Sequence, residues 1–302
     1  MKAKKTKIKT SMDMKVFNVL GYTLISFFAL VCVIPFYLIL VGSFTDEKWI
    51  LKHGYSFFLN KESFSLEGYK IVFKVPETIM SAYAVTIIVT ITGTVLALLI
   101  VTMTGYVLSR PDFPWRNGFS FFFFFTTLFS GGLVPWYLLC TQVLKFNNHI
   151  YALIIPGLFS VWNMVIAKSF MKGIPYELVE SAKVDGASEW TIYFKIMIPL
   201  SKPLIATLAL FTALGYWNDW YNCMLFINDN SKWNLQYTLQ NILNSAESMT
   251  RIANQTGMRV ASLPSESVKM AMTIVTIGPI ILLYPFLQKY FVKGMTIGAV
   301  KG

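Results

Sequence analysis

Between residues 180 and 187 the chain reads Glu180-Ser181-Ala182-Lys183-Val184-Asp185-Gly186-Ala187, a polar stretch set between long apolar runs. Pro175 stands ahead of it, and Pro199 and Pro203 follow. Proline in the first turn of a helix and glycine just past its end predict a short helix from Pro175 to the Asp185-Gly186 pair. With Ser188 as a possible N-cap, a second short helix is expected from there to Met197.

The composition around this segment is typical of a membrane protein. Apolar residues make up 55% of the 302 residues, charged residues make up only 14%, and the mean hydropathy is +0.55. An ordinary soluble domain carries roughly 25% charged residues. The apolar residues also lie in runs too long for soluble helices, so we expect one all-α membrane domain with several spans.

Six apolar runs are long enough to cross a bilayer, which takes about 20 residues. The third is expected to break near Ser130-Gly131-Gly132, and Pro156, Gly157 and Asn163 interrupt the fourth. The predicted spans are Val16–Phe44, Ile79–Leu108, Phe119–Val143, Ile150–Phe170, Pro203–Ile227 and Val268–Phe291.

The positions of lysine and arginine predict the orientation, because cytoplasmic loops carry an excess of both. The strongly basic N-terminus is expected in the cytoplasm, together with the C-terminus, the loop with Arg110 and Arg116, and the segment from Lys172 to Lys202. The predicted order is a cytoplasmic N-terminus (1–15), a first transmembrane helix (16–44), an extracellular loop (45–78), a core of five more transmembrane helices (79–291) and a cytoplasmic tail (292–302). Within that core lie the polar segment (about 175–199) and an extracellular loop (about 228–267).

Several other classes of protein are disfavoured. The net charge of +11 comes from basic residues that flank the spans, so nucleic acid is not an expected partner. The first apolar run is too long for a signal peptide. The two histidines and three cysteines are scattered, so no metal site or catalytic residue is expected. No G-x-x-x-x-G-K-[ST] phosphate loop occurs, and no cofactor is expected in this chain.

The polar segment has two different faces. Leu178, Val179 and Ala182 are predicted on one face of its first helix, and Glu177, Glu180 and Lys183 on the other. A membrane protein has little reason to carry such a segment on its inner side unless a soluble protein docks there. The pattern therefore predicts a module that sits in a groove of a cytoplasmic partner and passes its motion to the spans.

The segment resembles a known motif. Glu180, Ser181 and Ala182, then Gly186, then Ile196-Met197-Ile198-Pro199 are similar to the EAA motif of importer-type ABC permeases. That motif is Glu-Ala-Ala, three residues, Gly, nine residues and Ile-x-Leu-Pro. Ser181 and Ile198 are conservative departures. The Asp185-Gly186-Ala187 form and the residues 199–203 resemble the carbohydrate-uptake branch, the MalG-like inner membrane components of binding-protein-dependent systems. The tail 292–302 resembles the LplC/YtcP-like subgroup, whose substrates are thought to be complex oligosaccharides.

The resemblance implies a MetI-like permease subunit of a bacterial carbohydrate importer, a multi-pass protein of the cell membrane that is not itself an enzyme. ATP and Mg²⁺ would be bound by two ATPase subunits. The other implied partners are a second, homologous permease in a heterodimer, an extracytoplasmic solute-binding lipoprotein, an oligosaccharide and membrane lipid. The residues implied to couple to the ATPase are Glu180, Ser181, Ala182, Asp185, Gly186 and Ala187. Alternatively, Gly186 and Pro199 only cap and end helices.

A second candidate site lies in the fifth predicted span. Its aromatic faces and hydrogen-bonding groups suit a sugar, and Asp219 is the only acid inside a predicted span. An interfacial aromatic belt is the alternative interpretation. The candidate residues of the substrate path are Trp217, Asn218, Asp219, Trp220 and Tyr221.

Other interpretations stay open at the level of sequence. The importer could carry a solute other than a sugar. A secondary transporter would need more ionisable groups in its spans, and a membrane enzyme would need a clustered site. The polar stretch Asn241–Thr256 could form a helix that contacts a sugar or a soluble receptor, or it could be a plain solvated loop.

Overall fold

The computed structural model describes residues 11–74, 76–256 and 266–281, and the fold there is all-helical, as predicted. Two π-helical turns (Leu139–Val143 and Tyr193–Met197) and two 3₁₀ turns (Ile155–Gly157 and Asn230–Lys232) continue or connect the α-helices. The α-helices are α1 (Met12–Ser43), α2 (Glu47–His53), α3 (Glu67–Val72), α4 (Pro76–Ser109), α5 (Arg116–Leu128), α6 (Leu133–Leu138), α7 (Tyr151–Ile154), α8 (Val161–Lys172), α9 (Glu177–Val184), α10 (Glu189–Ile192), α11 (Ile198–Leu200), α12 (Lys202–Trp217), α13 (Tyr221–Phe226), α14 (Leu235–Thr256) and α15 (266–281).

Two of these helices, α1 and α4, are each long and apolar enough to cross a membrane, and they coincide with the first two predicted spans. Three bent pairs meet the same criterion, so the described residues contain up to five such segments by length and composition. Residues 282–291 of the sixth predicted span and the tail 292–302 lie outside the described residues. The three bent helix pairs, with the angle between the two helices of each, are Arg116–Leu128 with Leu133–Val143 (114°), Tyr151–Gly157 with Val161–Lys172 (49°), and Glu189–Leu200 with Lys202–Trp217 (82°).

The helix breaks agree with the sequence in part. The third predicted span breaks at residues 129–132, where Gly132 has φ +86, as expected. The fifth predicted span is not one helix, which corrects the prediction of a single run to Ile227: α12 ends at Trp217 and α13 begins at Tyr221. An Asp219 side-chain oxygen accepts the backbone N–H of Asn222 at 3.1 Å. Such a bond gives the backbone an alternative to continuing the helix.

The chain divides into two compact units, and the first comprises residues 1–72 and 259–274. Its most informative contact is at the start of α15. The buried carboxylate of Glu47 accepts the backbone N–H groups of Glu266 and Ser267 at 2.9–3.2 Å. A negative charge at a helix N-terminus satisfies free N–H groups and the helix dipole. In α1, by contrast, only Val41–Ser43 are buried.

The second unit comprises residues 73–258 and 275–302, and its core surrounds α4. Gly105 of α4 lies directly against Ala167 of α8, because a Cβ at Gly105 would be 2.6 Å from the Ala167 Cβ. Small residues at such a crossing let two helices approach closely. The buried side chains around this crossing are Val101, Tyr106, Leu108, Met164, Ala167, Met171, Val179, Ile192, Tyr193, Met197, Leu204 and Leu208. Several belong to the polar segment, which is therefore fixed to α4 and α8.

The polar stretch predicted as a possible helix at 241–256 is helical, and the helix is longer than expected. α14 begins at Leu235 because Asn234 caps it: the Asn234 side-chain oxygen accepts the Tyr237 N–H at 2.9 Å. The Leu235 N–H donates to the Thr86 hydroxyl at 2.8 Å, which ties the start of α14 to α4.

Candidate functional site

The turn inside the polar segment has the predicted geometry. Gly186 has φ +78, a left-handed conformation that glycine adopts without strain. The Gly186 N–H donates to the Lys183 carbonyl at 3.0 Å, and the Ala187 N–H donates to the Ala182 carbonyl at 2.9 Å. These two bonds form a Schellman motif, which satisfies the last carbonyls of α9. At its other end, α9 begins at Glu177, two residues after Pro175 rather than at it.

The second half of the segment is also helical and leads directly into α12. Ser188 is its N-cap, as predicted, and its hydroxyl accepts the Thr191 N–H at 3.3 Å. Helical structure continues through the π turn Tyr193–Met197 and past Pro199 to Leu200, where an 82° bend starts α12. Only the turn residue Ser201 separates the helical part of the segment from α12.

One face of the segment is packed against α4. Val179, Ile192 and Met197 are buried, and the Tyr193 hydroxyl lies 2.7 Å from the Thr102 hydroxyl of α4. The candidate residues Ala182 and Ala187 are half-buried against the same core. These contacts make the segment part of the folded second unit and not a free loop.

Four charged residues, called here the ionic cluster, join the segment to the loop after α4. They are Arg110, Asp112, Lys183 and Glu189. Arg110 binds Asp112 through Nε and Nη2 at 2.8 and 2.6 Å, and its Nη1 lies 2.8 Å from Glu189 Oε2. Lys183 Nζ lies 2.9 Å from Asp112 Oδ2 and 3.3 Å from Glu189 Oε1. The cluster therefore links α9 and α10 to one another and to the end of α4.

No sequence pattern predicts this cluster directly. In the sequence, Arg110 indicates only the orientation of its loop, and Asp112 and Glu189 belong to no recognisable motif. Residues 110 and 189 are far apart in the chain and meet only because α4 packs on the segment. The one local signal is the Arg110-Pro111-Asp112 loop, which places opposite charges together in an otherwise apolar region.

The cluster shifts the pKa values of its members toward the charged forms. Hydrogen bonds from Arg110 and then Lys183 hold the pKa of Asp112 well below its usual value, against the effect of burial. Burial acts to raise the pKa of Glu189, but hydrogen bonds from Tyr106 and Arg110 outweigh it and the pKa is lowered. The hydrogen bond to Asp112 raises the pKa of Lys183. All of these groups are therefore charged at neutral pH.

The lowered pKa of Asp112 predicts an acid-dependent loss of stability. A carboxylate whose pKa is lower in the folded state stabilises the fold above its unfolded pKa and ceases to do so as pH falls through the folded value. We expect Asp112→Asn to lower the melting temperature by a constant amount from about pH 8 to about pH 5. The difference from wild type should shrink below the ordinary aspartate pKa of 3.8. Melting curves of the purified protein across this range measure it, and a difference that persists undiminished in acid contradicts the assignment.

The other face of the segment is exposed. Glu180, Ser181 and Asp185 all point outward there. Large apolar side chains are exposed beside them, and among these is Leu178, although Val179 of the same predicted face is buried. Together with Glu180 they form what we call the docking face: Leu178 (42% exposed), Val184 (88%), Trp190 (60%) and Phe194 (49%). Apolar side chains ringed by charge are typical of surfaces that bind another protein.

A cavity of about 390 Å³, whose lining mixes polar groups with a larger apolar area, lies between α4, α8 and α12. Of the five candidates for a substrate path, Asp219 lines it. Trp217 is buried and its indole N–H donates to the Thr276 carbonyl at 3.3 Å, while Asn218 accepts from Gln236 at 3.1 Å. Trp220 and Tyr221 are exposed and contact each other edge to face. The lining residues are Ala97, Val101, Gly157, Leu158, Ser160, Asn163, Phe211, Thr212, Gly215, Tyr216, Asp219 and Asn222.

Comparison with known proteins identifies the family. A family model described as "binding-protein-dependent transport system inner membrane component" matches residues 12–297. Protein LplC of Bacillus subtilis (strain 168) is 38% identical over 288 residues, which cover 95% of this chain and 96% of LplC. The polygalacturonan/rhamnogalacturonan transport system permease protein YtcP of the same organism is 36% identical, over 96% of this chain and 100% of YtcP.

A solved structure has the same fold. A chain from the crystal structure of a bacterial ABC transporter involved in the import of the acidic polysaccharide alginate matches with a TM-score of 0.80 and 26% identity. The match covers 94% of this chain and 100% of that one. Together with the exposed motif on a helix pair fixed to the core, these similarities show that the chain belongs to the family of binding-protein-dependent transport system inner membrane components, the permease subunits of ABC importers.

Proposed function

We propose that this chain is a permease subunit that moves an oligosaccharide into a bacterial cell, driven by ATP hydrolysis in separate ATPase subunits. The observation that carries the proposal is the polar segment. It presents a family motif on an exposed face and is fixed to α4 and α12 on its other face. The names of two relatives, which refer to polygalacturonan/rhamnogalacturonan and alginate, support a saccharide as substrate.

The docking face is the surface we propose for the ATPase. Glu180 supplies an exposed charge, and Val184 and Trp190 supply apolar area that a groove in the partner would cover. Gly186 and the capping bonds of Ala187 fix the shape of this face, so it can act as a rigid body. Ser181 and Asp185 are exposed beside Glu180, and Ala182 lies at the boundary between the docking face and the core.

The mechanism follows from the mechanical connections of the segment. When two ATPase subunits close on ATP, we propose that they draw this segment and its counterpart in a second, homologous permease together. The ionic cluster would transmit the displacement to α4, and the short connection through Ser201 would transmit it to α12. Both helices line the cavity described above. Such a displacement is an alternating-access transition between two states of the cavity.

The proposed topology has six spans in the bacterial cell membrane, with both termini in the cytoplasm. The basic residues around the polar segment and in the loop with Arg110 support this orientation. The exposed apolar surface of α1 supports contact with lipid or with the second permease. A solute-binding lipoprotein would deliver the sugar to the outer side, near the loop that contains α14.

Reconstitution of the full importer tests the proposal. The second permease, the ATPase, the binding protein and this chain are placed in proteoliposomes, and uptake of labelled oligosaccharides is measured with ATP on the ATPase side. We expect uptake only with ATP and the binding protein present, and none with an ATPase variant that binds but does not hydrolyse ATP.

The same assay separates the alternatives. ATP-driven uptake of amino acids or peptides, without uptake of saccharides, would favour an importer of a different solute. Uptake that follows a proton or sodium gradient without ATP would favour a secondary transporter and would exclude the proposed function.

A further inference from the structure

The cavity between α4, α8 and α12 lies beside two helix breaks. The chain leaves helical geometry at residues 158–160, before α8, and again at residues 218–220, between α12 and α13. The cavity is lined at both breaks, by Leu158 and Ser160 at the first and by Asp219 at the second. In a membrane protein, non-helical backbone is tolerated where it is buried in protein or lines a water-filled space. The cavity is therefore the kind of place where a hydrophilic solute can be held.

One wall of the cavity is held in place by Tyr216. Its hydroxyl donates to the Ile154 carbonyl at 2.8 Å. Its side chain lies close to two glycines: a Cβ at Gly93 would be 2.5 Å from the ring carbon Cζ, and a Cβ at Gly157 would be 2.9 Å from the hydroxyl oxygen and 3.0 Å from the ring. Any larger residue at either glycine would displace the ring. The wall is therefore preorganised, which lowers the cost of binding a ligand.

The chemistry of the lining suits a sugar. Ser160, Asn163 and Thr212 offer hydroxyl and amide groups, and the ring of Phe211 is 41% exposed. The hydroxyls of a saccharide can form hydrogen bonds with these polar groups, and its apolar C–H face can pack on the Phe211 ring. The volume of about 390 Å³ is within the range of about 300–1,000 Å³ that small-molecule sites occupy.

In the described part of the chain, the lining of the cavity contains an acidic residue but no basic one. Among the described residues that line the cavity, Asp219 is the only acid and there is no lysine, arginine or histidine. Both Asp219 oxygens act as acceptors, from the Asn222 N–H at 3.1 Å and the Asn222 side-chain amide at 2.7 Å. The Asp219 side chain therefore supplies acceptor oxygens at the wall of the cavity. A sugar hydroxyl donated to it forms a charge-assisted hydrogen bond, whereas a uronate carboxylate is repelled.

We propose that this cavity is a binding site for neutral saccharide units and that Asp219 makes it select against uronates. The inference rests on the proposed function and specifies its substrate class. It sets this chain apart from the two relatives whose names refer to acidic polysaccharides, although both resemble it over nearly its whole length.

Direct binding to the permease complex tests the inference without the selectivity of a binding protein. The complex of both permeases with the ATPase is placed in nanodiscs, and saturation-transfer NMR titrations, which detect weak binding, give dissociation constants. The probes are trigalacturonate and its trimethyl ester, which share one skeleton and differ in charge, together with neutral galactotriose. We expect the two neutral probes to bind about tenfold or more tightly than trigalacturonate at neutral pH.

Three variants assign the effect to the cavity. In Asp219→Asn, the dissociation constants of trigalacturonate and its trimethyl ester should become similar. Asn163→Ala should weaken the neutral probes but leave the ratio of ester to acid unchanged, because it removes a hydrogen bond and no charge. Asp229→Asn is the matched control: Asp229 also accepts bonds within its own turn, from Ser231, but does not line the cavity. It should behave as wild type.

The outcomes are distinct from those of the uptake assay. Equal binding of acid and ester by wild type overturns the inference, as does a ratio that Asp219→Asn leaves unchanged. Normal ATP-driven uptake without detectable binding of any probe also overturns it, while the proposed function stands. If neither uptake nor binding of a saccharide is found, both are excluded.

Discussion

Replacing Gly186 with proline is expected to lower ATP-driven uptake by about tenfold or more, although the protein should still insert and assemble. Proline fixes φ near −65°, and Gly186 has φ +78. The substitution also removes the N–H that donates to the Lys183 carbonyl. Such a change costs about 3 kcal/mol or more locally, and each 1.4 kcal/mol or so is a factor of ten in population. The docking face would then rarely hold its native shape.

Gly54 offers a matched control for Gly186. It has φ +75, follows the last residue of α2, and its N–H donates to the Ile50 carbonyl at 2.8 Å. A side chain at either glycine meets open space. Gly54→Pro should therefore impose a similar backbone cost without altering the docking face. Uptake and substrate-stimulated ATP hydrolysis are measured for both variants. Equal loss in both, or normal uptake by Gly186→Pro, contradicts the coupling role.

Replacing Arg110 with methionine is expected to destabilise the protein by about 2 kcal/mol and to uncouple ATP hydrolysis from uptake. The Arg110 side chain is only 7% exposed and binds both Asp112 and Glu189. Removing one member of a buried ion pair costs about 3–5 kcal/mol, and we reduce this figure because both acids are about half exposed. Without Arg110, Lys183 alone would link the segment to the loop after α4.

A double-mutant cycle distinguishes this role from a general effect on folding. Glu189→Gln removes the charge that Arg110 binds on α10. The double variant Arg110→Met/Glu189→Gln should therefore lose less stability than the sum of the losses in the two single variants. Arg110→Lys should be more stable than Arg110→Met but cannot form the bidentate contact with Asp112. Arg116→Met is the control, because Arg116, the first residue of α5, has no place in the ionic cluster. Melting temperature and the ratio of uptake to hydrolysis are the measurements. Additive effects in the cycle would show that the cluster does not act as a unit.

Local sequence patterns predicted the features that depend on few neighbouring residues. Gly186 ends α9 because only a few residues around it set the turn, and Ser188 caps the next helix for the same reason. The break at Gly132 was likewise evident, since glycine and serine interrupt an apolar run. The break at residues 218–220 was missed because it depends on how Asp219 bonds to Asn222, which hydrophobicity does not report.

The candidate sites were predicted to different degrees. The motif at Glu180–Ala187 was evident because its spacing is carried by one continuous stretch. The substrate path was predicted at the right break in the chain, but of its five residues the cavity includes Asp219. The opposite wall, with Ser160 and Asn163, comes from a helix about 60 residues earlier in the chain. No linear pattern relates the two.

The helical class, the apolar segments and the family motif can be predicted from the amino-acid sequence, because periodicity, composition and capping are local properties of a chain. Tertiary structure alone decided that Arg110 meets Glu189, that Tyr216 lies against Gly93 and Gly157, and which side chains face the cavity. The physical reason is that each of these contacts joins residues on different helices. Their distances are set by the close packing of α4 with the helices around it.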